Sequence, residues 1–145
     1  MSASEGPAFI DTNILVYALE KTPSPRKTHA QTLILRLTAE DRLRICTQVL
    51  QELFVTLTRK GLHACSPDEA ISFLEQLSVW PLFLIDFPAI HDAALLSRDA
   101  SISFWDALIV VAAARSGANS LYTEDLSHGE KLLGVEIVNP FREVV

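Results

Sequence analysis

Cysteine is nearly absent from this chain: only Cys46 and Cys65 occur among its 145 residues. Their spacing offers neither a disulfide framework nor a Cys-x-x-Cys metal knuckle, which points to a reducing compartment and two ordinary thiols. Histidine is as thin. His29, His63, His91 and His128 are scattered in no HxxxH or CxxH pattern and give no support to a structural zinc site. No apolar run reaches the roughly 20 residues that a membrane helix needs. The opening MSASEGPAFIDTN lacks the basic patch and apolar stretch of a signal peptide, so the expectation is a cytoplasmic protein with no membrane attachment. Positive charge is also short. A net charge of −6 argues against a protein that coats nucleic acid through a basic face. It leaves room for an enzyme that grips a phosphodiester through metal ions, because the acids that hold such ions lower the net charge. Repeats, low-complexity segments and long linkers are missing as well.

What is present is apolar residues in quantity, 49% of the chain, enough for one folded domain over residues 1–145 with a sizeable core. "PAFID" (7–11) reads as a buried strand ending in an acid, and "TNILVYALE" as a helix with Thr12 or Asn13 as its cap. "TPSPRK" (22–27) is a turn into a helix over roughly 26–40, and "RLRICT" (42–47) is a short strand. Thr47 is placed to cap the next helix, whose apolar face is Val49, Leu50, Leu53, Phe54 and Leu57 and whose end falls near Gly61. Ser66, Pro67 and Glu69 spell a capping box for a helix over 66–79. Strand "PLFLID" (81–86), helix 88–100 and a helix from Ser103 follow, then strands "NSLYTED" (119–125) and "GVEIVNPF" (134–141). Strands alternating with helices predict an α/β fold, a three-layer α/β/α sandwich with a mostly parallel central sheet. In such sheets the ligand site gathers beyond the carboxyl ends of the strands.

Four acids flank these apolar segments. Asp11 ends the first strand, and Asp125 lies just past "SLYT". Glu52 sits at the edge of an apolar helix face, and Asp106 opens "SFWDALIVVAAARSG" (103–117), a helix apolar all round from Ala107 to Ala114. Each has a plain explanation. Asp11 and Asp125 are acceptable helix caps or turn formers, Glu52 a solvated helix residue, and Asp106 a first-turn acid behind the Ser103 cap. Together they make another pattern, because unpaired carboxylates are costly beside apolar sequence. Two like charges at ~4 Å repel by about 4 kcal/mol at an effective dielectric near 20. A divalent cation relieves that repulsion, and an all-oxygen set suits Mg²⁺ or Mn²⁺. The chemistry this implies is hydrolysis of a phosphate ester by in-line attack of water activated by the ion. Arg26, Lys27, Arg36, Arg42 and Arg44, with Arg59 and Lys60, offer either a positive rim to such a site or merely solvated helix faces.

"FIDTNILVY", "TQVLQELF", "SFWDALIVVAAARSG" and "LYTEDLSHG…VEIVNPF" resemble, in this order and spacing, the successive motifs of the PIN domain, and most closely those of VapC-type toxin ribonucleases. The resemblance covers roughly residues 8–141. It implies a Mg²⁺- or Mn²⁺-dependent endoribonuclease in which Asp11, Glu52, Asp106 and Asp125 are both catalytic and metal-binding. It matches Asn13 to a small polar residue that orients the first acid, and Ser103 and Thr123 to hydroxyl residues of the later motifs; Glu124 is less typical. A homodimer and a cognate antitoxin protein are implied by the resemblance, and RNA as the substrate. "WPLFLIDF" and the helices after Pro67 and Pro88 carry the apolar surface for self-association. Two alternatives stay open: a catalytically silent PIN-like module binding RNA or protein, and a haloacid-dehalogenase-type phosphatase. The phosphatase wants Asp-x-Asp, where this chain has Asn13 at the second position.

Overall fold

The computed structural model describes residues 6–59 and 65–144. The chain runs β1 (Ala8–Ile10), α1 (Thr12–Leu19), α2 (Pro25–Ala39), β2 (Leu43–Cys46), α3 (Thr47–Thr58), α4 (Pro67–Leu77), β3 (Leu82–Phe83), α5 (Phe87–Ala100), α6 (Phe104–Arg115), β4 (Ser120–Tyr122), β5 (Lys131–Leu132) and β6 (Val135–Val138). The sheet order is β3-β2-β1-β4-β6-β5. All neighbours pair in parallel except β5 and β6, which are antiparallel.

This order dictates the layers. The chain steps from β1 to β2 to β3 in one direction, then returns past β1 to β4. Right-handed crossovers then put α1–α4 on one face and α5–α6 on the other. The packing agrees: α1 touches α2 and α3, α3 touches α4, and α5 packs along α6. The expected three-layer sandwich is what forms. Its sheet centre is fully apolar, with Phe9, Ile10, Ile45, Leu121 and Ile137 buried. Helix α6 explains its own sequence. Residues Ala107 to Ala113 are all buried, because one side meets the sheet and the other meets α5 through Ala89 and Ala93.

Several boundaries differ from expectation. The cap of α1 is Asp11 rather than Thr12 or Asn13; its carboxylate accepts from the Thr12 N–H at 2.7 Å. Cys46 precedes α3 without a side-chain cap bond, while the Thr47 hydroxyl accepts from the Ile85 N–H at 3.2 Å and ties α3 to the end of β3. Helix α3 is described to Thr58, and its expected end near Gly61 lies outside the described residues. The strands are shorter than their apolar runs. One element was not expected at all: "KLLGVEIV" folds as a hairpin, with Lys131 opposite Glu136 and Leu132 opposite Val135. Leu133 and Gly134 form its two-residue turn, with φ of 50° and 79°. Positive φ at both positions is the type I′ pattern, which normally takes Asn-Gly or Asp-Gly. Leucine there hid the turn. Among the described residues, no helix is long and apolar enough to cross a membrane.

Candidate active site at the switch point of the sheet

The sheet changes direction between β1 and β4, which is where parallel α/β sheets open a crevice beyond their carboxyl ends. The register of these strands pairs Ile10 with Tyr122. The next residues, Asp11 and Thr123, therefore leave the sheet side by side. The Asp11 N–H donates to the Tyr122 carbonyl at 3.0 Å, and the Thr123 hydroxyl donates to Asp11 Oδ2 at 2.8 Å. Asp11 thus closes β1, caps α1 and is fixed by β4. It is only 5% exposed.

Above it lies a cavity of about 290 Å³ walled by Asp11, Asn13, Tyr17, Glu20, Glu52, Glu124 and Asp125, with Thr12, Val16 and Thr56 completing the lining. Among the described residues, five carboxylates and no basic side chain line it. Burial pushes the Asp11 carboxyl up to about 7. Hydrogen bonds from Thr123 and Thr12 pull it down, and the charges of Asp125 and Glu52 raise it further. A carboxyl so placed hovers near half-protonation at neutral pH, and any cation brought to the cavity favours its charged form.

The structure brings Asp11, Glu52 and Asp125 to this one wall, together with Asn13 and Glu124. Asn13 has a different task from the one expected. Its amide donates to Asp125 Oδ2 at 3.0 Å and to Thr123 Oγ1 at 3.4 Å, so it orients Asp125 directly and Asp11 only through Thr123. Thr123 Oγ1 also accepts from the Asp125 N–H at 3.1 Å. Glu124 accepts from the Tyr17 hydroxyl at 3.0 Å. Asp106 stands outside the cavity wall, in the first turn of α6, and is half-buried. Ser103 caps that helix by accepting the Asp106 N–H at 3.0 Å. The reciprocal bond that Glu69 makes to Ser66 in α4 is not made by Asp106, so its carboxylate is not spent on the cap. Its pKa is raised, by burial first and also by the charge of Asp125, with the Ser103 hydrogen bond opposing. Asp106 thus lies within electrostatic reach of Asp125, which lines the cavity.

Sequence reasoning passed over Gln48. Its buried amide donates to Glu52 and, at 3.4 Å, to the Trp105 carbonyl, linking α3 to the start of α6. The signal was available, since Gln48 precedes Glu52 by four residues on one helix face. Tyr17, one turn along α1 from Asn13, and Glu20, which ends that helix, were missed in the same way.

Does this set suit a divalent ion? The donor atoms do: they are oxygens throughout, and Asn13 Oδ1 and Gln48 Oε1 are buried acceptors with no hydrogen-bond partner among the described residues. Among the described residues, no three His, Cys, Asp or Glu side chains converge on one ligating point. Each carboxylate is instead held by its own neighbour, Asp11 by Thr123, Glu52 by Gln48 and Asp125 by Asn13.

Known proteins bear on this geometry. A solved toxin–antitoxin complex from Klebsiella pneumoniae superposes with a TM-score of 0.66 at 20% identity, over 92% of this chain and 97% of that one. Mycobacterium tuberculosis VapC20, a sarcin–ricin loop cleaving toxin, aligns at 0.62 and 21% over 81% and 89%. The DNA-bound VapBC of Salmonella typhimurium gives 0.62 and 21% over 91% and 96%. None of the curated proteins compared matches significantly. These likenesses concern the fold. The sequence model of the PIN domain matches residues 8–130, a span that carries the β1 acid, the α3 and α6 acids and the β4 loop. By that match, the chain belongs to the PIN domain family.

Proposed function

We propose that this chain is a Mg²⁺- or Mn²⁺-dependent endoribonuclease, the toxin of a toxin–antitoxin pair. The observation that carries the reading is the crowding of five carboxylates in one cavity at the switch point of the sheet, with no basic side chain among the described residues that line it. Asp11, Glu52, Asp106 and Asp125 would hold the ion. When bound, a divalent cation supplies Lewis acidity, neutralising charge at the scissile phosphate and acidifying the attacking water. The chain's residues do the rest. Thr123 and the Thr12 N–H fix the rotamer of Asp11, Asn13 fixes Asp125, and Gln48 fixes Glu52, so each carboxylate is held in a set orientation at the rim of the cavity.

An antitoxin fits a second feature. An apolar groove of about 360 Å³ lies between α1, α2 and α4, lined by Leu15, Leu19, Ile34, Leu35, Phe73 and Trp80. Helix α1 separates it from the acid cavity, so one peptide can lie in the groove and reach over α1 with a basic side chain to fill the cavity. The VapBC and toxin–antitoxin complexes among the similar structures support such a partner.

The test is cleavage of mixed RNA by purified protein. Chelation abolishes cutting and Mg²⁺ or Mn²⁺ restores it. Full activity in excess chelator, or metal-dependent hydrolysis of a small phosphate ester without any cutting of RNA, overturns the reading. A protein that binds RNA with metal but never cuts it is the silent module instead.

A further inference from the structure

Among the basic residues of the first third, Arg42 and Arg44 precede or begin β2, at the opposite end of the sheet from Asp11. Arg42 pairs with Glu40 and donates to the Gly6 carbonyl, and Arg44 donates to the Asp41 and Leu43 carbonyls. Arg26 stands elsewhere. Its guanidinium carbon lies 5.5 Å from the centroid of the Tyr17 ring and 5.8 Å from that of Phe141. Those two rings meet edge-on at 4.9 Å. Tyr17 is a wall of the acid cavity, and its hydroxyl is pinned by Glu124. The Arg26 head group therefore lies against one side of a ring pair, of which Tyr17 is also a wall of the cavity. It is exposed, and it makes no hydrogen bond or ion pair with any described residue, although Glu20 and Glu124 line the same cavity.

We propose that Arg26 is a binding residue for RNA, gripping a backbone phosphate next to the scissile one; this rests on the ribonuclease reading above. A planar guanidinium stacked on aromatic faces keeps its N–H fork free for two phosphate oxygens and loses little side-chain entropy on binding. The electrostatics call for it. A strand of RNA approaching five carboxylates is repelled, and an ion in the cavity compensates only at its own position. A fixed cation at the rim holds the neighbouring phosphate in register.

The experiment is steady-state cleavage of a mixed-sequence single-stranded RNA in Mn²⁺ over a series of salt concentrations. It compares the wild type with Arg26→Ala, Arg26→Lys and, as control, Arg98→Ala, whose side chain pairs with Asp99 on exposed α5. Arg26→Ala raises KM about 5- to 10-fold with kcat within about twofold, and the slope of log kcat/KM against log salt falls by about 0.7, the loss of one phosphate contact on a single strand. Arg26→Lys restores the slope but only part of the affinity, because a lysine lacks the planar fork and packs less well on the ring pair. Thermal melting of each variant establishes that it is folded. A folded Arg26→Ala with wild-type KM and salt slope overturns the inference and leaves the ribonuclease reading intact. A wild type that cuts no RNA overturns both.

Discussion

Asp11 ends a strand, caps a helix and floors the acid cavity, and burial holds its carboxyl near 7 rather than 3.8. The sign of the consequence follows from proton counting. Between about pH 4 and pH 7 the folded, metal-free protein keeps a proton on Asp11 that the unfolded chain has lost. Asp11 therefore contributes stability that is complete below its unfolded pKa and is lost as pH rises through its folded one. The loss is on the order of a few kcal/mol across that window. Denaturant titrations of metal-free wild type and Asp11→Asn check this: the wild type weakens relative to the variant from about pH 4 to about pH 7. Parallel curves would place the Asp11 pKa near its ordinary value. Asp106 gives a second test. If its carboxylate serves the site, Asp106→Asn lowers cleavage roughly 10- to 100-fold or more while the protein stays folded. The metal-free variant also melts higher, because a charge facing Asp125 is gone. A variant that melts lower without metal, gains as much from Mg²⁺ and still cuts RNA leaves Asp106 as a first-turn acid that only favours the α6 dipole. The carboxylates were legible in the sequence because charge beside apolar runs is conspicuous. The bonds of Asn13 were not, since they depend on the β1–β4 register, which no local pattern encodes.

At the scale of elements, the starts written in cap chemistry were the readable ones. Ser66, Pro67 and Glu69 form the capping box expected of them, and Ser103 caps α6. The cap of α1 was sought one or two residues late, at Thr12 or Asn13, because a strand end and a helix cap coincide in Asp11 and leave no loop to mark the change. The β5–β6 hairpin was missed for another reason. Its turn places Leu133 at φ 50°, where a branched apolar side chain crowds the backbone and the usual turn residues are absent. Leu133 is also exposed, so it gains little from packing. Leu133→Asn is therefore expected to stabilise the protein by about 0.5–1 kcal/mol, since Asn tolerates the left-handed region. Thermal denaturation checks it; a lower melting temperature would mean that Leu133 makes contacts worth more than its backbone strain.

For the whole molecule, alternation of strands and helices was enough to foresee a layered sheet, while the strand order was out of reach, because it is fixed by crossover direction and side-chain packing between distant segments. That order makes the site. It brings β4 beside β1 and lays the two acid-bearing strand ends across one crevice. The outer surface adds a prediction of its own. Leu84 is 65% and Phe87 73% exposed, with Ile90 beside them, on and before the start of α5. An apolar cluster of this kind marks a contact surface, and we expect it to join two copies of the chain. Sedimentation should show a dimer at micromolar concentration that Phe87→Asp converts to monomer. A monodisperse wild-type monomer would assign these residues to some other contact.

The claim on which the rest depends is that the carboxylates at the switch point cut RNA by directing water at phosphorus. Its most direct test is the chemistry of the ends. Purified protein is incubated with RNA in Mn²⁺ or Mg²⁺, and the termini of the fragments are identified by mass spectrometry. Attack by water on the face opposite the 3′ oxygen breaks the P–O3′ bond and leaves 5′-phosphate and 3′-hydroxyl ends, and none appear when Asp11→Asn replaces the wild type. Fragments ending in 2′,3′-cyclic phosphate would show attack by the ribose hydroxyl instead, and would contradict the account.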